Sequence, residues 1–333
     1  MKQTGRVKRV TARAYANIAL CKYWGKQPGG DNAPATPSLS LALDKLATTT
    51  TVTRRGRGDC VVINGRKASR AARDRITGFI DLWRGRGLVH GHFNVESNNE
   101  YPTAGGLASS AGGFATLAVA LNGFCAKPLS TAALSRIARR GSGSAARSIT
   151  GGLSVLPTGA DPAARLLMPA QDISWRMVLA VMDAPPKSVS SREGMELSRV
   201  TSPYYEAWLK QAAADYRRMC KLIPGLDLAK AGPLAEANML AMHACIQATR
   251  PAPLYWTPAT VAVLDQLRRW RRGGLCAWAT IDAGPHVAVL CDVKDAKSVA
   301  GRLRRLTRST AGIDRVVLCQ PAGPAEILET EQE

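Results

Sequence analysis

Five short stretches of the sequence concentrate side chains that bind anions or move protons. "YPTAGGLASSAGG" (101–113) sets Pro102, Gly105 and Gly106 before Leu107, Ala108, Ser109 and Ser110, where an apolar helical run begins. The first N–H groups of a helix lack intrahelical partners and carry partial positive charge, so a loop stripped of side chains there suits phosphate. Ser109 and Ser110 add hydroxyls that donate to phosphate oxygens or help hold a metal ion. The stretch is neither a Walker loop nor a dinucleotide fingerprint, since Gly-Lys-Ser/Thr and Gly-x-Gly-x-x-Gly are both absent. A glycine-rich turn also serves close packing alone, and both readings stand at this point.

The other four stretches add charge. "ANIALCKYWGK" (16–26) ends in Lys22, Tyr23, Trp24, Gly25 and Lys26, two cations and two amphipathic rings at a bend. "RRGSGSAARS" (139–148) offers Ser142, Ser144, Ser148 and Arg147, several hydroxyl donors and one planar, bidentate cation. "KSVSSREGM" (187–195) supplies Ser190, Ser191 and Arg192, and "TIDAGP" puts Asp282 at a strand end. Singly, each fits an ordinary role: a solvated lysine, an arginine in a surface ion pair, an aspartate capping its turn. Their joint occurrence shifts the balance towards a site for anionic small molecules.

Positioning these groups takes a sizeable fold. At 333 residues the chain exceeds what one core usually serves, and two domains are expected, 1–172 and 173–333. With 46% hydrophobic and 21% charged residues the composition is globular. No run of about 18 apolar residues and no secretory leader occurs, so no membrane association and a cytoplasmic location are expected. The eight cysteines lack metal-ligand spacing and read mostly as buried small hydrophobes. A net charge of +20 favours anionic partners without choosing among nucleic acid, lipid and phosphorylated metabolites.

Residues 6–26, 46–55, 60–65 and 91–99 read as strands. Residues 69–86, 107–124 and 130–141 read as helices, the last capped by Ser130 and stopped by Gly141. A strand at 177–183 opens the second half, followed by helical periodicity over 203–222, 227–249 and 257–272. "CAWATI" and "HVAVLCD" then form a hairpin across Asp282–Pro285, Asp295 caps a basic helix, and "DRVVLCQ" completes the sheet. Strands and helices in this order indicate an α+β fold with a cleft between closely packed domains.

Read together, 17–26, 102–111, 141–148, 190–195 and 282–285 closely resemble the diphosphomevalonate decarboxylases of the GHMP small-molecule kinase superfamily. Pro-x-x-x-Gly-Leu-x-Ser-Ser-Ala marks the superfamily. Lys-Tyr-Trp-Gly-Lys, Gly-Ser-Gly-Ser-Ala-x-Arg-Ser and Asp-Ala-Gly-Pro are more specific, and the resemblance runs from about residue 10 to 320.

The resemblance implies a two-domain GHMP-kinase fold and an enzyme that uses ATP and Mg²⁺ to phosphorylate the 3-hydroxyl of mevalonate 5-diphosphate. Loss of phosphate and carbon dioxide then gives isopentenyl diphosphate. Asp282 matches the catalytic aspartate, Lys22 a lysine whose charge favours its carboxylate form, and Arg147 the arginine that grips the substrate carboxylate. Tyr23, Lys26, Ser142, Ser144, Ser191 and Arg192 match positions around the diphosphate. Gly105, Gly106, Leu107, Ala108, Ser109 and Ser110 match the ATP loop, with Ser109 and Ser110 near Mg²⁺, and Asn98 and Asn99 are weak candidates for the adenine pocket. Relatives are often homodimers.

Three departures stand out: His286 where the family commonly has Asn, Gly106 where Ala is usual, and "ATPSLSLAL" in place of an Asn-Ser-Ser run. His286 is expected to alter the hydrogen bonding around Asp282 or ATP. Rival readings are a sister enzyme acting on mevalonate 5-phosphate, a 3-kinase, a silent ATP-binding module and a basic nucleic-acid-binding protein. The last has 5% aromatics and dispersed basic runs against it.

Overall fold

The computed structural model describes residues 6–101, 109–185 and 187–333. The first half forms β1 (Val7–Cys21), β2 (Ser38–Arg55), β3 (Cys60–Ile63), β4 (Arg66–Lys67), α1 (Arg70–Arg84), β5 (His92–Asn99), α2 (Ser109–Asn122), α3 (Thr131–Gly141), α4 (Ala145–Thr150), β6 (Leu153–Leu156) and β7 (Arg165–Met168). The second forms β8 (Trp175–Met182), α5 (Ser191–Thr201), α6 (Tyr205–Leu222), α7 (Leu228–Gln247), α8 (Pro258–Arg272), β9 (Ala277–Thr280), β10 (Val287–Asp292), α9 (Ala296–Ser309), β11 (Ile313–Cys319) and β12 (Glu326–Gln332).

The larger sheet runs β12-β1-β2-β5-β3-β4, with β6 on β2 and β7 on β6. Among the described residues only its β3–β5 pairing is parallel. The smaller sheet, β11-β8-β10-β9, is antiparallel throughout. The strand β12 was not anticipated. "DRVVLCQ" becomes β11, at the edge of the smaller sheet, and the chain then returns to pair β12 with β1.

Strand β2 begins earlier than the β-branched run suggests. In "SLSLAL" serine and leucine alternate, the period of a strand with two distinct faces. Leu39, Leu41 and Leu43 enter a core shared with Trp175, Leu179, Leu234 and Leu290 of the second half. Burying such side chains contributes about 1.5–3 kcal/mol each, and it joins the halves through one apolar layer. Conversely, β1 stops at Cys21, five residues short of the expected 26, because the chain turns out of the sheet towards the cleft.

Helix α2 is apolar on nearly every side and packs against β1 and β2. Its expected residues 107 and 108, with the loop from 102, lie outside the described residues. The Ser130 hydroxyl caps α3 as expected, accepting from the Ala133 N–H. Gly141, however, is the last residue of that helix and not its stop signal. A Cβ there would meet the Phe114 ring at 2.2 Å, so packing and not a left-handed turn requires the glycine. Thr257 caps α8 with Pro258 in its first turn, as expected. Asp295 sits just before α9 but makes no side-chain cap, its backbone already being helical.

All eight cysteines are free, five of them buried. Among the described residues no helix is long and apolar enough to cross a membrane.

Candidate active site

A cleft of about 790 Å³ opens between the two halves; among the described residues it is lined by six cations, Lys22, Lys26, Arg75, Arg147, Lys187 and Arg192, and one carboxylate, Asp282. Such an imbalance in one concavity fits a small polyanion.

Lys22 follows directly on β1. Its N–H donates to Asn238 Oδ1 at 2.8 Å, and its Nζ donates to Asp282 Oδ1 at 2.5 Å. The Lys22 side chain is 1% exposed and that of Asp282 32% exposed. The ion pair therefore has one face in protein and one towards the cleft. Burial pulls the Lys22 ammonium below its ordinary range, and the Asp282 charge pushes it part of the way back. The turn after β9 holds Asp282, whose carbonyl accepts the Gly284 N–H at 2.7 Å.

Helix α4 carries Arg147, 2% exposed. Its Nε donates to Ser40 Oγ at 2.7 Å and one terminal nitrogen to Ser38 Oγ. Nε and the other terminal nitrogen approach Asn17 Oδ1 at 3.3 Å each, and Asn17 donates in turn to Ser148 Oγ at 2.8 Å. Burial lowers the guanidinium to about 10, and among the described residues no carboxylate forms an ion pair with it. A buried cation held only by neutral acceptors is costly without an anionic ligand. The polar face of "SLSLAL" is thus a cradle for Arg147, the supporting role that the sequence left unread.

Ser110, Ser142 and Ser144 form a hydroxyl ladder, with oxygens 3.1 and 3.2 Å apart, along the same wall. Ser109 and Ser191 also line the cleft. Gly143 interrupts the ladder because a Cβ would lie 2.4 Å from the Tyr23 hydroxyl. Tyr23 donates to the Asn32 carbonyl at 2.9 Å and Lys26 Nζ to Asn32 Oδ1 at 2.7 Å, so one asparagine orders both. Burial, reinforced by Arg192 and Arg75, brings Lys26 down to about 8. Arg192 enters on the first turn of α5, a helix absent from the sequence reading although Ser190 caps it by accepting from the Glu193 N–H.

The structure therefore gathers Lys22, Tyr23, Lys26, Ser109, Ser110, Ser142, Ser144, Arg147, Ser191, Arg192 and Asp282 around one space. Asn98 and Asn99 are not brought into it. They end β5, where Asn98 is exposed and Asn99 accepts from Thr48 Oγ1 at 2.8 Å. Gly105, Gly106, Leu107 and Ala108 lie outside the described residues. Sequence reasoning assigned no role to Arg75, which carries no local motif, or to Lys187, which opens the stretch 187–195 ahead of the serines and arginine singled out there. His286 turns its Nδ1 to the Met182 N–H at 2.9 Å, anchoring the Asp282 turn to β8.

Comparison with known proteins accords with this geometry. The family description "Diphosphomevalonate decarboxylase-like N-terminal domain" matches residues 14–165, and "Mevalonate 5-diphosphate decarboxylase C-terminal domain" matches 177–332. A diphosphomevalonate decarboxylase of Aspergillus fumigatus is 32% identical over 92% of this chain and 83% of its own. The solved mevalonate diphosphate decarboxylase of Enterococcus faecalis superposes with a TM-score of 0.88 at 34% identity, covering 97% of this chain and 99% of that one. A structure described as MDDEF in complex with MVAPP, AMPPCP and magnesium gives 0.89 at 34% identity and the same coverage. Matches of this extent across both halves mean that the chain has the GHMP-kinase fold and belongs to the diphosphomevalonate decarboxylase family.

Proposed function

We propose that the protein catalyses the ATP-dependent decarboxylation of mevalonate 5-diphosphate to isopentenyl diphosphate, ADP, phosphate and carbon dioxide. The observation that carries this reading is the Lys22–Asp282 pair, 2.5 Å apart, in a cleft that also holds Arg147, which forms no ion pair with a carboxylate among the described residues. In the same reading the chain divides into 1–172 and 173–333, works in the cytoplasm, which its eight free thiols suit, and assembles as a homodimer.

A tertiary alcohol is a poor leaving group until its oxygen carries phosphate. Asp282 accepts the proton of the 3-hydroxyl, or orients it, as that oxygen attacks the terminal phosphoryl group of ATP. Lys22 holds the Asp282 carboxylate in place and offers positive charge to the transferring group. Ser142, Ser144, Ser191, Tyr23, Lys26 and Arg192 bind the diphosphate at the far end of the substrate. Arg147 fixes the rotation of the substrate carboxylate so that the breaking carbon–carbon bond aligns with the orbital emptied as the new phosphate departs. The electron pair of that bond becomes the double bond of the product, and carbon dioxide leaves.

Ser109 and Ser110 present hydroxyl oxygens at the start of α2, and with the phosphates of ATP they form the hard donor set that magnesium takes. Among the described residues no group of three or more His, Cys, Asp or Glu is arranged to hold a metal ion by itself. When bound, magnesium neutralises charge on the phosphate oxygens.

The test is a coupled assay of ADP release with mevalonate, its 5-phosphate and its 5-diphosphate supplied separately. The 5-diphosphate is expected to give the largest kcat/KM. A tenfold preference for the 5-phosphate would replace the named substrate and leave the mechanism standing.

A further inference from the structure

We propose that Asn238 and Asp215 are positioning residues for Lys22, forming a directional latch between the two halves. The proposal rests on the assignment of Lys22 and Asp282 to the reacting centre.

Lys22 lies one residue beyond Cys21, the last of β1 to pair with β2. Its backbone N–H, deep in the protein, is taken by a side chain 216 positions away, Asn238 on α7. Asn238 is wholly buried, and its Nδ2 donates to Asp215 Oδ2 on α6 at 2.9 Å. The second oxygen of Asp215 accepts from Gln211 Nε2 at 2.7 Å. Asp215 is itself 1% exposed and forms no ion pair among the described residues.

The two ends of a primary amide have nearly the same shape, so packing alone does not decide which end of Asn238 faces Lys22. The carboxylate decides it. Both Asp215 oxygens are acceptors, so Asn238 must turn its NH₂ group towards Asp215 and its carbonyl towards the Lys22 N–H. A buried carboxylate without a cation is an expensive way to fill space, and an apolar side chain would fill it at lower cost. Its return is direction. With its backbone fixed by Asn238 and its Nζ fixed by Asp282, Lys22 is held at both ends, and the ammonium has one position relative to the cleft.

The experiment measures kcat, KM and melting temperature for the full chain with ATP, Mg²⁺ and mevalonate 5-diphosphate. The variants are Asn238→Leu, Asn238→Asp and the exchange Asp215→Asn with Asn238→Asp. Asn238→Leu keeps the volume and removes the latch. It is expected to lower kcat by about 10- to 100-fold while KM for mevalonate 5-diphosphate stays within about threefold. Asn238→Asp alone sets two carboxylates against each other and should also lose turnover.

In the exchange, the carboxylate at 238 accepts the Lys22 N–H with one oxygen and the amide at 215 with the other, while Gln211 still donates to a carbonyl oxygen. Turnover should rise at least about fivefold over Asn238→Asp. Folded Asn238→Leu with more than half the wild-type kcat overturns the latch. So does an exchange no faster than Asn238→Asp, the comparison that decides if Asn238→Leu does not fold. Lower melting temperatures with unchanged kcat would assign the pair to stability alone and overturn it too. A wild-type chain that releases no ADP with mevalonate 5-diphosphate overturns the functional reading itself and the latch with it.

Discussion

Asp282→Asn changes one atom and removes the only carboxylate lining the cleft among the described residues. Its partner Lys22 is 1% exposed, so the variant leaves an ammonium buried beside a neutral amide. Breaking a buried pair in this way typically costs about 3–5 kcal/mol. Deprotonation sets a ceiling on that cost. Taking an amine from its ordinary value of 10.5 to neutrality at pH 7 costs about 1.36 kcal/mol per unit, about 5 kcal/mol in all. Because Asp282 is 32% exposed, water already shares the pair, and about 1–3 kcal/mol is the expected loss at pH 7.

The pH dependence has a definite sign. Lys22 lies below its ordinary value in the folded protein, so the unfolded chain binds more protons between the two values. The stability linked to this group is complete above 10.5 and is lost as pH falls towards the folded value. Removing Asp282, which raises that folded value, extends the window downward. The gap in melting temperature between variant and wild type should therefore be wider at pH 6 than at pH 9.

Turnover should fall by about 10² to 10⁴-fold, the range of a lost general base, with KM little changed. ADP release and thermal melting at the two pH values read both effects. A folded variant with more than about a third of wild-type kcat would reduce Asp282 to a turn residue. A melting gap that is equal or wider at pH 9 would refute the buried-charge argument.

Arg147→Lys keeps the charge but cannot reach Ser38, Ser40 and Asn17 together while gripping a carboxylate with two parallel bonds. It should raise KM, lower kcat and reduce kcat/KM by about 10²-fold; near-normal values in both would remove Arg147 from the carboxylate grip. For Lys26, brought down to about 8, kcat/KM of the free enzyme should decline above that pH as the ammonium loses its proton. Lys26→Arg should flatten that alkaline limb in a pH–rate profile, and a limb that persists unchanged would exclude Lys26 as its source.

What could be read in advance divides along physical lines. Thr257 and Pro258 announced the start of α8 because capping is local chemistry, complete within four residues. Ser190 with Glu193 carries a similar capping signal for α5, masked by the neighbouring serines and arginine, which serve equally as anion donors. Strand β12, "EILETEQ", has little apolar content; its order comes from backbone pairing with β1, which no local pattern encodes. At the site, residues with a chemical motif were legible. Arg75, Lys187, Asn32 and the Ser38–Ser40 cradle were not, because single charges and hydroxyls gain meaning only when distant segments meet. Asn98 and Asn99, offered for the adenine pocket without a motif of their own, end β5 and do not line the cleft that gathers the other candidates.

The pairing of β12 with β1 also sets a timetable. Lys8 and Glu331 meet at 3.0 Å across 323 positions, so on a ribosome adding about 5–20 residues per second β1 is finished roughly 15–60 s before its outer neighbour exists. Through that interval β1 is an open edge, the kind that recruits strands from other molecules. Lys8, Arg9 and Arg13 lie along it, and like charges on a second nascent copy would repel such pairing. When β12 arrives, Lys8 and Arg9 find Glu331 and Glu329 in reach. The same cations first guard the edge and then welcome the one strand whose acidic side chains answer them.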